Sequence, residues 1–394
     1  MVSKSIYMKN QKSKQKNNIL VLPRWYPNKT DIQLGIFIQR QVALMKDEFN
    51  YQVVYAQAIP DQDQPYKLVS SHDNGFTEHI VYFKSGTGVF KKLINLKRYK
   101  KAQQIGLKEI KEKIDFCHVH VPYRPALMAL SLNKKGVPFV VTEHWSGHLN
   151  GIYQSKNIFD RFIYKRVLKK AKKISTVSEA LKQAFKKNTG FDSTVIPNII
   201  ERTLPISESN SEVVEFLSVG DFHNETKNFS GLLYAFKVVN EMFPKTRLKL
   251  VGGGPDYEKI VRLANDLKFP DRAVIFTNRQ RHEFVLEAMN ACHTYVCNSR
   301  FETFGMTVAE ALHCGKPVVS TRCGGPEEFL HENNSILVSP SPKQNDSEHQ
   351  ELAEALLKMT VEYKNFDGEA ISAELKSRFG KEAVQEKWRA FYKF

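Results

Sequence analysis

The chain has little that would let it enter or cross a membrane. None of its 394 residues belong to an apolar run of about 18, so no spanning helix is predicted. The start, Met1 to Asn18, is rich in Lys, Ser, Asn and Gln with no apolar segment behind it. No secretion signal is therefore expected, and residues 1–18 read as a disordered basic tail. Cysteine is scarce: Cys117, Cys292, Cys297, Cys314 and Cys323 are an odd set with no Cys-x-x-Cys. Zinc pairs are excluded on that spacing, and the apolar or Gly-rich surroundings predict buried, reduced thiols of a cytosolic protein. Acidic residues are short in the first half alone. Residues 1–200 hold 34 Lys and Arg against 14 Asp and Glu, while the remainder holds 24 against 28. The whole net charge of +16 thus originates in the first half. Such asymmetry fits an anionic membrane, an acidic substrate or nucleic acid. No DNA- or RNA-reading motif occurs, so nucleic acid is not expected.

What is present is an α/β rhythm. At 42% apolar and 25% charged, the chain can bury two ordinary cores. Strands are predicted at Asn18–Leu22, Tyr51–Ala56, Phe116–Val121, Pro138–Thr142 and Lys173–Val177. Helix patterns lie between them at Ile36–Glu48, Arg124–Leu132 and Glu179–Lys187. The polar stretch 201–212 then reads as a linker. Strands resume at Val214–Val219, Arg247–Val251, Ala273–Phe276, Thr294–Cys297, Pro317–Ser320 and Ile336–Val338. Alternation of this kind predicts parallel sheets covered on both faces. The expectation is two Rossmann-like domains, 19–200 and 213–375, facing each other across a cleft, with a C-terminal helix region 376–394 packing back on the first.

Chemistry concentrates after Thr294–Cys297, in a loop running to Gly305 and a helix expected from about Thr307 to His313. Two carboxylates, Glu302 and Glu310, flank the glycine turn and the helix start. A helix N-terminus suits phosphate, and a neighbouring carboxylate can accept bonds from sugar hydroxyls. Thr307-Val-Ala-Glu310 reads equally well as a capping box, and the residues alone leave both open. His118 and His120 share a strand face, with Glu143 or His144 as conceivable third ligands, but no metal is expected. Asp61-Gln-Asp63 reads as solvated, and Gly252-Gly-Gly254 lacks the Lys-Ser/Thr of a P-loop.

The ordered motifs resemble glycosyltransferase family 4. Glu302-x7-Glu310 encloses Phe304-Gly305 and is followed by Gly315-Lys-Pro-Val-Val319, Cys323-Gly-Gly-Pro-Glu-Glu328 and, earlier, Leu250-Val-Gly-Gly-Gly-Pro255. The likeness extends through Pro23-Arg-Trp-Tyr-Pro27, Gly35-Ile-Phe37, His118-Val-His120, Thr142-Glu-His144 and Val195-Ile-Pro-Asn198. The resemblance implies the GT-B fold, a retaining mechanism without an obligatory metal or other cofactor, and a nucleoside-diphosphate sugar as donor. It implies that Glu310 holds the donor ribose and that Glu302 contacts the transferred sugar. The backbone of Phe304, Gly305 and Met306 would bind sugar and phosphate, and Lys227 would neutralise the diphosphate. Gly35 would let backbone N–H groups approach that diphosphate, and His120 would reach the donor sugar. Attack from the leaving-group face, with the phosphate taking the acceptor proton, is the mechanism it suggests.

One position departs. Where the family commonly carries Arg six residues before the Lys, this chain has Asp221. Arg279 or Arg300 is expected to supply the missing charge. Two basic helix patterns, Val89–Lys113 and Asp160–Lys173, add an expected anionic-membrane contact. In the second, Phe162, Ile163, Val167 and Ala171 are expected to share one face. The expected role is hexosyl transfer to a glycan or lipid-linked acceptor in polysaccharide, lipopolysaccharide or lipid-linked glycan synthesis, in the cytoplasm and peripheral to the inner face of the plasma membrane. The rivals are a sugar-nucleotide epimerase of the same fold, a weakly active paralogue and a two-lobed sugar-binding protein.

Overall fold

A computed structural model describes residues 16–201, 205–207, 211–340 and 349–394. Most of the expected disordered tail and half of the expected linker lie outside the described residues. The chain divides into two compact units, one ending at Val140 and the other running from Val141 to Phe394.

The first unit contains β1 (Asn18–Pro23), β2 (Asn50–Ile59), β3 (Tyr66–Ser71), β4 (Thr77–Lys84) and β5 (Phe116–His120), ordered β3-β4-β2-β1-β5. All neighbours are parallel except β3 against β4. That hairpin is missing from the sequence prediction because β4 buries polar residues. Glu78 is 5% exposed and accepts hydrogen bonds from Tyr26 Oη at 2.5 Å and Gln39 Nε2 at 2.8 Å. Satisfied in this way, a carboxylate can occupy a sheet interior, but it disguises the strand's apolar pattern.

The boundary falls within β6 (Phe139–Glu143), which is followed by β7 (Ile174–Thr176) and the short, unpredicted β8 (Thr194–Val195), paired in that order. A six-stranded parallel sheet follows: β9 (Val214–Val219), β10 (Thr246–Val251), β11 (Val274–Thr277), β12 (Thr294–Cys297), β13 (Val318–Thr321) and β14 (Ser335–Val338), ordered β11-β10-β9-β12-β13-β14. Successive residues feed opposite cores, as the period of two requires. Phe216, Val296 and Val319 enter one core, whereas Leu217, Tyr295 and Val318 enter the other. β12 and β13, buried along their whole length, read as short apolar runs, whereas β10 alternates Arg247 and Lys249 with Leu248 and Leu250.

Local chemistry sets several helix ends. Ser178 Oγ accepts the Leu181 N–H at 3.1 Å to start Glu179–Thr189, and Gly190, at φ 84°, ends it. Asn157 caps Ile158–Lys170 by accepting from Asp160 N–H at 2.8 Å. The expected face of that last helix is corrected. Tyr164, Val167 and Leu168 are its buried side chains, while Phe162 is 60% exposed. The buried stripe lies one step round, because Tyr164 is drawn inward to the Glu143 carboxylate. At the C-terminus, helix Lys381–Phe391 lies beside Lys173, whose Nζ donates to the carbonyls of Ala390 at 3.3 Å and Lys393 at 2.7 Å. All five cysteines are buried thiols outside any disulfide.

Candidate active site

The site in the second unit begins where β9 ends. Gly220 N–H donates to Val251 O at 3.0 Å and Phe222 N–H to Gly253 O at 3.1 Å, so the two strand ends run in contact. A Cβ on Gly252 would sit 1.9 Å from Gly220 O, and one on Gly254 would sit 2.7 Å from Phe222 N. Gly252 and Gly254 therefore serve backbone approach.

The chain then enters the short helix Asn224–Lys227. Arg300 fastens this turn: its Nη1 donates to the carbonyls of Asn224 at 3.0 Å and Glu225 at 2.9 Å, and Nη2 to Asn228 Oδ1 at 3.1 Å. Asn228 takes the left-handed region at φ 49°, which Asn tolerates better than most residues. Lys227 is thereby aimed back at β12, and its ammonium donates to Glu302 Oε1. Burial alone would pull the Lys227 pKa down, but the Glu302 carboxylate outweighs it and holds it above the ordinary lysine value. The side chains keep 23% and 17% exposure, so a ligand can reach both.

Glu302 is fixed at both ends. Ser299 Oγ donates to Oε1 at 2.8 Å. Along the main chain, Glu302 N–H donates to Cys323 O at 2.7 Å, and Glu302 O accepts from Gly325 N–H at 2.9 Å. Helix Met306–His313 then starts from Gly305, at φ 82°, with no side-chain cap. The expected start at Thr307 and the capping-box alternative are corrected. Thr307 bonds the Tyr295 hydroxyl, and Glu310 Oε1 meets His282 Nε2 at 2.9 Å. A Cβ on Gly305 would fall 2.4 Å from Pro326 Cγ, so no other residue fits this turn. Phe304 is buried against Phe329 and Phe379, leaving its backbone as the part that can face a ligand.

Asp221 is paired. Arg279 Nη2 lies 2.6 Å from Asp221 Oδ1, and a Cβ on Gly253 would be 3.4 Å from Arg279 Cγ. Of the two arginines expected to replace the missing charge, Arg300 is committed to the Lys227 turn and Arg279 lies over the strand ends.

In the first unit, His118 and His120 are buried with ring centroids 4.0 Å apart. Val121 follows at φ 59°, a costly conformation for a β-branched residue, and fixes the backbone just beyond His120. Gly35, at φ 67°, precedes helix Ile36–Met45, and a Cβ there would meet Trp25 O at 2.4 Å. Among the described residues, no group of three His, Cys, Asp or Glu is placed to hold a metal ion.

Residues 200–372 match the family Glycosyl transferases group 1, and residues 43–204 match Glycosyltransferase Family 4. This chain belongs to glycosyltransferase family 4. A glycosyltransferase of Methanocaldococcus jannaschii is 29% identical over 238 residues, covering 60% of this chain and 64% of that protein. The N-acetyl-alpha-D-glucosaminyl L-malate synthase of Bacillus anthracis is 33% identical over 140 residues, covering 35% and 34%. The chain thus spans between a third and just under two thirds of these relatives. Among solved structures, sucrose-phosphate synthase from Thermosynechococcus elongatus superposes with a TM-score of 0.75 at 17% identity, covering 96% of this chain and 98% of that one. An Anabaena protein in complex with UDP and glucose gives 0.70 at 17% identity, covering 96% and 100%. The fold of this family 4 member is GT-B.

Within this family 4 site, the structure brings Lys227 and Glu302 into contact and starts the helix carrying Glu310 at Gly305. Sequence reasoning missed His282 and Ser299. His282 stands 28 residues from Glu310, with no local pattern linking them. Ser299 could have been found, since it lies three residues before Glu302 in the same loop. Among the described residues no helix is long and apolar enough to cross a membrane.

Proposed function

We propose that this protein transfers a hexose from a nucleoside-diphosphate sugar to an acceptor hydroxyl with retention of anomeric configuration. The contact that carries the reading is Lys227 on Glu302, beside a helix N-terminus at Gly305. The ammonium and the first-turn N–H groups would take the diphosphate, Glu302 the sugar hydroxyls and Glu310 the ribose. Arg279, held by Asp221, adds the second cation. The acceptor oxygen bonds to the anomeric carbon as the bond to phosphate breaks, and the acceptor proton passes to the departing phosphate. No metal is required.

Fold relatives solved with UDP and with UDP-2-fluoro glucose support a nucleotide-sugar donor. The basic first half supports a glycan or lipid-linked acceptor and a working place on the cytoplasmic face of an anionic membrane. A thermal-shift series with UDP-, GDP- and ADP-sugars, followed by acceptor-dependent nucleotide release, tests the reading. Release that continues unchanged in Glu302→Ala sinks it, and conversion of the donor without release points to an epimerase instead.

A further inference from the structure

Helix Ile158–Lys170 presents an unusual outer face. Ile158, Phe159 and Phe162 are 78%, 69% and 60% exposed, although each is large and apolar. At 3.6 residues per turn, Ile158, Phe162, Lys165 and Lys169 fall in one row, flanked by Phe159, Arg166 and Lys170. The face is therefore divided along its length, with hydrocarbon over the first turns and four cations over the last. Those four basic residues are exposed. The helix's one acidic residue, Asp160, lies off this row and is engaged with Asn157 at 3.0 Å. Ile152, 44% exposed on the turn before, is a further apolar residue just upstream.

The opposite side is anchored independently. Tyr164 Oη donates to the buried Glu143 carboxylate, and His148 Nε2 lies 3.0 Å from Tyr164 Oη. The outer face thus contributes little to holding the helix in place.

We propose that this face docks on an anionic lipid bilayer, with Ile158, Phe159 and Phe162 entering the acyl boundary and Lys165, Arg166, Lys169 and Lys170 on the lipid phosphates. A bilayer surface offers hydrocarbon and negative charge side by side, which is the complement of this row. The proposal rests on the membrane reading above and names the element that makes the contact.

The test is flotation of the full chain with vesicles of phosphatidylcholine alone or mixed with phosphatidylglycerol. Wild type is expected to float only with the mixed vesicles, and less at high salt. Ile158→Ser/Phe159→Ser/Phe162→Ser should lower the bound fraction about tenfold, and Lys165→Glu/Arg166→Glu/Lys169→Glu/Lys170→Glu should do the same. Release of nucleotide from a soluble donor, unchanged in both, shows that they fold. Val89→Ser/Phe90→Ser/Leu93→Ser, at an exposed apolar patch of the first unit, should float like wild type. If the helix variants float like wild type, the docking element is elsewhere and this proposal falls while the membrane reading stands. If wild type itself stays down at low salt, both fall.

Discussion

Replacing Arg279 by alanine isolates the charge that Asp221 takes from the family pattern. The Arg279–Asp221 pair is exposed at 43% and 57%, so its contribution to folding is about 0–1 kcal/mol. The melting temperature should barely move. On the donor side, a lost preorganised donor costs roughly 2.7–4 kcal/mol in a closed site. Arg279 is solvated, and Asp221 offsets part of its field, so the expected loss is smaller. About 1.4–2.7 kcal/mol corresponds to roughly 10- to 100-fold in kcat/KM. Steady-state nucleotide release against donor concentration measures it. Asp221→Arg in the Arg279→Ala background returns a cation to the same strand end and should recover much of the loss. A kcat/KM within about twofold of wild type for Arg279→Ala, with unchanged melting, would refute the assignment of the second cation to Arg279.

Three further outcomes follow from the same geometry. Gly305→Ala places a Cβ 2.4 Å from Pro326 Cγ at φ 82°, so it should lower stability by about 1–3 kcal/mol in chemical denaturation and reduce turnover more strongly. Arg300→Met removes three bonds from the Lys227 turn; a cost of about 1.5–3 kcal/mol and a lower kcat are expected, and an unchanged kcat would separate that clamp from catalysis. Burial pushes the His144 pKa from 6.5 to about 4, so protonation favours the unfolded chain. Its stability contribution is complete above pH 6.5 and is lost as pH falls towards 4, by about 3 kcal/mol. His144→Phe should flatten denaturation midpoints over that window, and an equal slope in both proteins would exclude His144 as the source.

Legibility in the sequence followed the range of the interaction. β9 and β12 stand out because Phe216 and Leu217, like Tyr295 and Val296, are buried on opposite faces, so apolar residues follow one another at their centres. β4 does not, because Glu78 is placed inside and satisfied by partners as distant as Tyr26. The helix bearing Phe162 was recognised from its period, but a period does not say which arc is covered. That depended on Tyr164 reaching Glu143, 21 residues away in the chain. Glu302 and Lys227 were found through motif order, although 75 residues separate them. At Asp221 the sequence predicts a compensating cation, Arg279 or Arg300, but not which of them, since nothing local reports the contact made across 58 residues. The capping box failed by two residues of phase, because Gly305 and not Thr307 is the N-cap, which frees Glu310 for His282.

The main-chain bonds of Glu302 to Cys323 and Gly325 make the carboxylate's own backbone an extension of the β12–β13 ladder. In hydrogen-exchange terms, the Glu302 and Gly325 amides should exchange with the slow strand class and not with surface turns. The carboxylate then stays registered to the sheet through every turnover, and adjustment to different sugars falls to side chains around it.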